Sequence, residues 1–223
     1  EAPHLYKQSP LGWIPSYWDW CPANSVCDVI TKGATPPARD MWKGTDGIRF
    51  VRVDNLLFDG EFDFQSSNFR VSHKTHTGLL SRSRCFPGDV LMNIVGPPLG
   101  KLGLVTERLG TINVNQAIAL FRPTSDLLPE YLLAWLIGAP SKSWLRQRAK
   151  QTSGQLNLTL GLCQQVPLPR IRIDEQQRIV DRLRILQETM LREAAKLDNW
   201  RHVKIGLMDD LLTGRVRVTP LLK

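Results

Sequence analysis

No CxxC pair occurs in this sequence; its four cysteines, Cys21, Cys27, Cys85 and Cys163, stand apart. That spacing offers neither a zinc ribbon nor a redox pair, and reads as reduced, mostly buried thiols of a cytoplasmic protein. No apolar run approaches the roughly 18 residues of a membrane span, so no membrane partner is expected. The opening EAPHLYKQSPLGWIP has neither an apolar core nor a cleavage-site pattern, which argues against a secretory signal. It also lacks an initiating Met, as a piece of a longer chain would. His73 and His76 have no further ligand nearby and read as a solvated loop. Catalytic signatures are missing as well. There is no D/N-P-P-Y/F motif to hold a flipped adenine, and no glycine-rich strand-to-helix fingerprint for a cofactor. The stretch GPPLGKL is one residue short of a phosphate loop, carries Leu where Ser or Thr is needed, and has two prolines without N–H donors. It reads as a turn.

Acidic residues are the next absence. The net charge is +8, yet residues 1–130 are neutral, with 13 bases and 13 acids. Residues 131–173 hold Lys142, Arg146, Arg148, Lys150, Arg170 and Arg172 and no Asp or Glu, while 174–223 hold 10 bases and 8 acids. Clustered positive charge supplies the sequence-independent part of polyanion affinity. Here it is localised to one segment.

What is present in 1–130 is strand-like sequence cut by turns. VCDVITKGATPP ends a strand in a Gly-Pro loop, and GIRFVRVDNLLF alternates apolar and polar residues as a half-buried strand does. PGDVLMNIVGPPLGKLGLVTE reads as a hairpin, and TINVNQAIALFRP as one strand with Asn113, Asn115 and Gln116 inside it. LPEYLLAWLIGAP has helical spacing stopped by Gly138 and Pro140, and SKSWLRQRAKQ forms a second short helix that carries most of the basic cluster. TSGQLNLTLG is a polar loop feeding a strand that ends at VPLP.

The periodicity then changes. Asp174 is placed to cap a helix, with Gln177 three residues on in a capping-box-like start. Neither Gly nor Pro interrupts 174–203. Ile179, Leu183, Leu186, Met190, Leu197, Trp200, Leu207 and Leu211 recur at alternating spacings of four and three, and only Glu193 and Lys204 break the ten-position seam. Such heptads predict a helix packed on another helix. Six acids and seven bases are interspersed between 174 and 204, so this helix is no phosphate-binding arm. The expected fold class is therefore α+β. A globular domain over 1–173, with a mixed, largely antiparallel sheet and short helices, is followed over 174–223 by a long coiled-coil-forming helix and tail.

SPLGWIPSYWDW, ITKGATP, PGDVLMNIVG with NVNQAIALFRP, SGQLNLTLGLCQQVPLPRI, DEQQRIVDRL and GLMDDLLTGRVRV follow one another in an order that resembles the specificity subunit of Type I restriction–modification enzymes. The resemblance covers nearly the whole chain, and the last two motifs are the most specific. It implies a target recognition domain plus a conserved spacer helix, most similar to the C-terminal half of a subunit that holds two such units in tandem. A natural half-length subunit that dimerises is the close alternative. It further implies a non-catalytic chain that reads one part of a split site in double-stranded DNA. Methyltransferase and restriction subunits would be its partners, with S-adenosylmethionine, ATP and Mg²⁺ belonging to them and no cofactor to this chain. The spacer helix would meet a second recognition unit or a second copy. Two readings outside the family are a scaffold whose basic segment meets an acidic protein, and an enzyme without a recognisable motif.

Phosphate contacts are expected from Lys142, Arg146, Arg148 and Lys150, since point charges position without reading sequence. Base reading needs paired donors and acceptors on exposed loops. Thr31, Lys32, Gly33 and Thr35 form one candidate loop, and Ser153, Gly154, Gln155 and Asn157 another. Arg49, Arg52, Arg82 and Arg84 are further candidates. For Asn113, Asn115 and Gln116, a strand-end role and contact with a base stand level.

Overall fold

The hairpin expected around GPPLGKL closes as strand Val90–Asn93 against Leu102–Leu104, with Met92 opposite Leu102. A computed structural model describes residues 3–65, 67–152 and 155–218. The chain divides into two units, Glu1–Gln177 and Arg178–Lys223. In the first, the hairpin belongs to an antiparallel four-stranded sheet ordered Leu102–Leu104, Val90–Asn93, Ile118–Pro123 and Cys27–Lys32. Val90, Leu91 and Met92 are all buried, as are Ile118, Ala119, Leu120 and Phe121. Strands covered on both faces read as continuous apolar runs, and these do.

A five-stranded sheet is ordered Met41–Lys43, Phe69–Val71, Ile48–Val51, Ile112–Val114 and Arg84–Cys85. Its Ile112–Val114 and Ile48–Val51 strands run parallel; the other pairs are antiparallel. TINVNQAIALFRP is thus two strands in two sheets rather than one. The chain turns at Asn115, whose N–H goes to Val51 O (3.1 Å) and whose carbonyl accepts from Ile118 N (3.1 Å). The turn lets Ile112, Val114, Ile118 and Leu120 enter one apolar cluster with Val51, Leu56, Cys85, Leu91 and Val105. GIRFVRVDNLLF is likewise shorter as a strand than its pattern: it leaves the sheet after Val51. Asn55 then takes over, donating to Asp63 O (2.8 Å) and Ser67 O (2.6 Å) and accepting from Arg52 N (2.9 Å).

Helix α1 (His73–Thr77) corrects the loop expected around the histidines. Ser72 caps it through Thr75 N (3.0 Å), and His76 is buried with Nδ1 2.6 Å from Asn113 Oδ1. Asn113 also donates to Leu80 O (3.0 Å) and Ser83 Oγ (3.3 Å). Both side chains are structural, because a buried polar group must find partners inside. Asp89, also buried, takes a forked pair from Arg122 (Nε 2.8 Å, Nη2 2.7 Å). That bond raises the Arg122 pKa above its usual value. All four cysteines are free and buried. Burial pushes the Cys27 and Cys163 thiols up to about 12 and raises Cys21 and Cys85 as well. At pH 8 a thiol of that pKa is ionised at about one part in ten thousand, against roughly a quarter for a free cysteine. A thiolate-directed alkylating reagent is therefore expected to leave Cys27 and Cys163 unmodified in the native chain over minutes and to label all four cysteines after unfolding. Rapid native labelling at Cys27 or Cys163 would contradict the burial.

Helix α2 (Pro129–Ile137) follows as expected, with Gly138 extended after it. Helix α3 (Ala139–Arg148) starts ahead of the expected SKSWLRQRAKQ helix, takes Pro140 into its first turn, and ends at Arg148, so that Lys150 and Gln151 are strand and not helix. The TSGQLNLTLG stretch is not simply a loop. It includes strand Gln155–Asn157 and runs into α4 (Leu160–Gln164), which Thr159 caps through Leu162 N (3.2 Å). Strand Pro167–Arg170, pairing with Asp19–Pro22, then leads to α5 (Ile173–Leu212). Arg172, rather than Asp174, stands at the N-cap position, since its carbonyl accepts from Gln176 N (3.0 Å). Asp174 lies in the first turn, where a carboxylate suits the positive end of the helix dipole. The same turn is tied into the first unit. Buried Gln176 donates to Asp126 O (2.8 Å) and Ile171 O (3.0 Å) and accepts from Leu128 N (2.9 Å). Glu175 accepts from Trp18 Nε1 (3.0 Å) and the Tyr17 hydroxyl (3.3 Å). No helix among the described residues is long and apolar enough to cross a membrane.

Candidate nucleic-acid interface

The acid-free segment becomes a helix and a hairpin. On α3, Ser141 and Leu145 are buried, four residues apart, so only a narrow stripe of this helix faces inward. Lys142 is half-buried beside the 96–100 turn: a Cβ built on Gly100 would lie 3.7 Å from its Cε. Arg146 and Arg148 are exposed. The Arg148 guanidinium lies 4.5 Å over the Trp144 ring and donates to Trp144 O (3.3 Å). Exposed Lys150 opens strand Lys150–Thr152, which pairs antiparallel with Gln155–Asn157 so that Lys150 faces half-buried Asn157. Gln155–Asn157 in turn pairs with Val95–Gly96. Ser153 and Gly154 lie outside the described residues, and for Gln155 only the backbone is described. Among the described residues, Lys142, Arg146, Arg148 and Lys150 join no ion pair. Their charge is left unneutralised.

The GPPLG turn beside Lys142 is built by buried Asn93, whose Oδ1 accepts from Gly100 N (2.9 Å) and Lys101 N (2.8 Å). Its Nδ2 donates to Pro98 O (2.7 Å). Those N–H groups are committed to the protein, which is why the turn makes no phosphate cradle.

In the Thr31–Thr35 loop, Gly33 is a packing residue and not a surface one. It is buried, and a Cβ there would stand 2.1 Å from Val114 O and 2.2 Å from Asn115 O. Only glycine allows that approach. Thr31 is half-buried, Lys32 and Thr35 are exposed, and the Thr35 hydroxyl donates to Gln116 Oε1. Of the polar cluster, Asn113 thus goes to the core, whereas exposed Gln116 joins Thr35 at the surface. Arg49, Arg52, Arg82 and Arg84 lie on the five-stranded sheet and its connections. Arg82 and Arg84 are exposed, and Arg84 Nε donates to Ser81 O (3.3 Å). Arg52 is half-buried, 5.2 Å from the Phe69 ring and 3.7 Å from Asp54. Arg49 is half-buried over Phe64. Arg70, which sequence reading passed over, stands opposite Arg49 across two strands. That neighbourhood is set by strand register, which has no signal in the sequence.

In the second unit, Ile179 is half-buried and Leu183, Leu186, Met190, Leu197 and Trp200 are exposed, Met190 by 71% and Trp200 by 70%. Side-chain ion pairs Arg184–Asp181 and Lys196–Glu193 accompany the seam along this helix, and His202 Nδ1 lies 3.9 Å from Asp198.

Fold and surface together define an α+β domain with a segment of cations that join no ion pair among the described residues, continued in sequence by a long helix with an exposed apolar seam. The chain's curated relatives are Type I restriction enzyme specificity subunits. It is 21% identical over 223 residues to the MjaVIII specificity subunit of Methanocaldococcus jannaschii, covering 97% of this chain and 50% of that protein. It is 20% identical over 211 residues to the putative MjaX specificity subunit of the same organism, covering 93% and 48%. The chain therefore spans about half the length of these relatives. Its fold is shared by solved subunits. The HsdS subunit from Thermoanaerobacter tengcongensis matches at a TM-score of 0.59 and 22% identity, over 83% of this chain and 41% of that one. The S subunit from M. genitalium matches at 0.53 and 13%, over 91% and 48%. A chain from a structure of the type I R-M system matches at 0.66 and 21%, over 88% and 46%. No protein-family model matches.

Proposed function

We propose that the first unit is a target recognition domain that reads one part of a split site in double-stranded DNA. The second unit, in this reading, is a spacer helix that pairs with a second recognition unit or a second copy. The chain itself carries no catalytic step. It positions methyltransferase and restriction subunits, to which S-adenosylmethionine, ATP and Mg²⁺ belong. The observation that carries the proposal is the acid-free segment, folded so that Arg146, Arg148 and Lys150 are exposed without carboxylate partners. Exposed cations without carboxylate partners, clustered in one segment of the chain, fit a polyanion and supply the counterion-release part of duplex affinity. The names of the curated relatives support the same assignment, and the half-length match fits one reader of a two-reader subunit.

Titration of the chain against random duplex DNA at low salt tests the proposal. Binding is expected to weaken steeply with salt, by about 0.9 log units per decade of salt for each phosphate engaged. An absence of salt-sensitive binding would leave the chain a protein-only scaffold. Co-purification with a methyltransferase subunit, followed by mapping of methylated sites, then tests the positioning role. Methyl transfer by the purified chain alone would contradict it.

A further inference from the structure

On three adjacent strands of the five-stranded sheet, Trp42 stands opposite Arg70, and Arg70 opposite Arg49. Directly paired positions share one face of a sheet, so the three side chains form a row. Two guanidinium groups side by side repel, and such a pair weakens a sheet unless something offsets it. No carboxylate does so: neither Arg49 nor Arg70 joins an ion pair among the described residues. Burial first, and then the neighbouring Arg70, lower the Arg49 pKa from its usual value.

Both forks are nevertheless held in place. Arg49 lies 3.8 Å over the Phe64 ring, and its Nη1 reaches Asn68 Oδ1 at 3.4 Å. Arg70 donates from Nε to Gly44 O (3.1 Å) and from Nη1 to Gly47 O (3.4 Å). The loop that Arg70 grips is closed tightly. Gly47 has φ +93°, and a Cβ there would stand 2.7 Å from Val71 O and 2.9 Å from the Trp42 ring. Trp42 covers this loop while remaining 38% exposed. An arginine carries five N–H donors, so these bonds leave donors free on each fork.

We infer that the Trp42–Arg70–Arg49 row is a base-reading ridge that recognises guanine by its major-groove edge. The inference rests on the duplex-reading function proposed above. Contact with phosphate needs only a charge near the backbone, and a mobile lysine serves as well as an arginine. Here the planar groups are fixed by a ring and by carbonyls, at the cost of placing like charges together. A fixed fork presents two parallel N–H donors, the arrangement that guanine O6 and N7 accept. Base-edge acceptors bring partial negative charge to both forks, which offsets their mutual repulsion.

The test compares the wild-type chain with Arg49→Lys and Arg70→Lys in selection from a random duplex pool and in salt titrations. Melting curves check that each variant is folded. Each lysine variant is expected to lose on the order of tenfold preference at a guanine position while keeping the wild-type salt slope. Replacing that guanine by 7-deazaguanine, which lacks the N7 acceptor, is expected to weaken binding by the wild-type protein on a similar scale. This arm needs no variant to fold. Unchanged preference in both variants, or indifference of the wild-type chain to 7-deazaguanine at every selected guanine, rejects the ridge and leaves duplex reading intact. A flatter salt slope with preference unchanged assigns the row to phosphate and likewise rejects it. Failure of the wild-type chain to bind duplex DNA in a salt-dependent way removes both proposals.

Discussion

Replacing Arg146, Arg148 and Lys150 with Ala is expected to weaken binding to every duplex on the order of 100-fold near physiological salt, and to flatten the salt dependence by about 2.7 log units per decade, if each engages one phosphate. The three share a segment without a single acid, and each is exposed. Their removal takes away counterion release and little else. Arg148 is the member with a second role, because it stacks on Trp144 and bonds that residue's carbonyl. Losing those exposed contacts costs the fold little. Sequence preference should survive, since phosphate contacts position the protein without reading bases. Gel-shift or anisotropy titrations across a salt series measure both quantities. An unchanged slope would show that the strip faces something other than DNA.

Glutamate at both Leu186 and Met190 is expected to abolish pairing through α5 while leaving the first unit folded. The two positions are 60% and 71% exposed and lie four residues apart, on one stripe of the helix. In a helix pair each would enter a hole formed by side chains of the facing helix. Burying a carboxylate there without a partner costs several kcal/mol, enough to shift an association constant by about 100-fold or more. In the unpaired chain the same carboxylates remain in water and cost little. Sedimentation or light scattering reads the mass, and melting of the first unit reads the fold. Loss of the fold together with pairing would mean that the seam supports the globular unit instead. Retention of pairing would place the partner on another stripe.

The elements with strong local signals were legible. Helix α2 starts at Pro129 and stops at Gly138, Pro140 lies in the first turn of α3, and the Val90–Leu104 hairpin has its turn where prolines and glycines cluster. The long helix runs through the heptads, uninterrupted by Gly or Pro until Gly206. Less legible was polarity that the fold takes inward. His76 and Asn113 look like surface residues in the sequence, yet each is buried and bonded to groups distant along the chain. TINVNQAIALFRP looked like one strand because period and composition do not change at Asn115; the break comes from a long-range bond to Val51.

The sequence by itself determined the charge partition, the helical seam and the order of motifs, because these are properties of adjacent residues and local periodicity. It also marked the basic strip, since the absence of acids over 131–173 requires no folding to see. Only the tertiary structure decided which cations stay unneutralised, that Gly33 is packed against backbone carbonyls, and that Trp42, Arg70 and Arg49 form a row. Those facts depend on strand register and on which sheet each strand joins. Both are set by burial and hydrogen bonding between segments far apart in the chain, and neighbouring residues do not encode them.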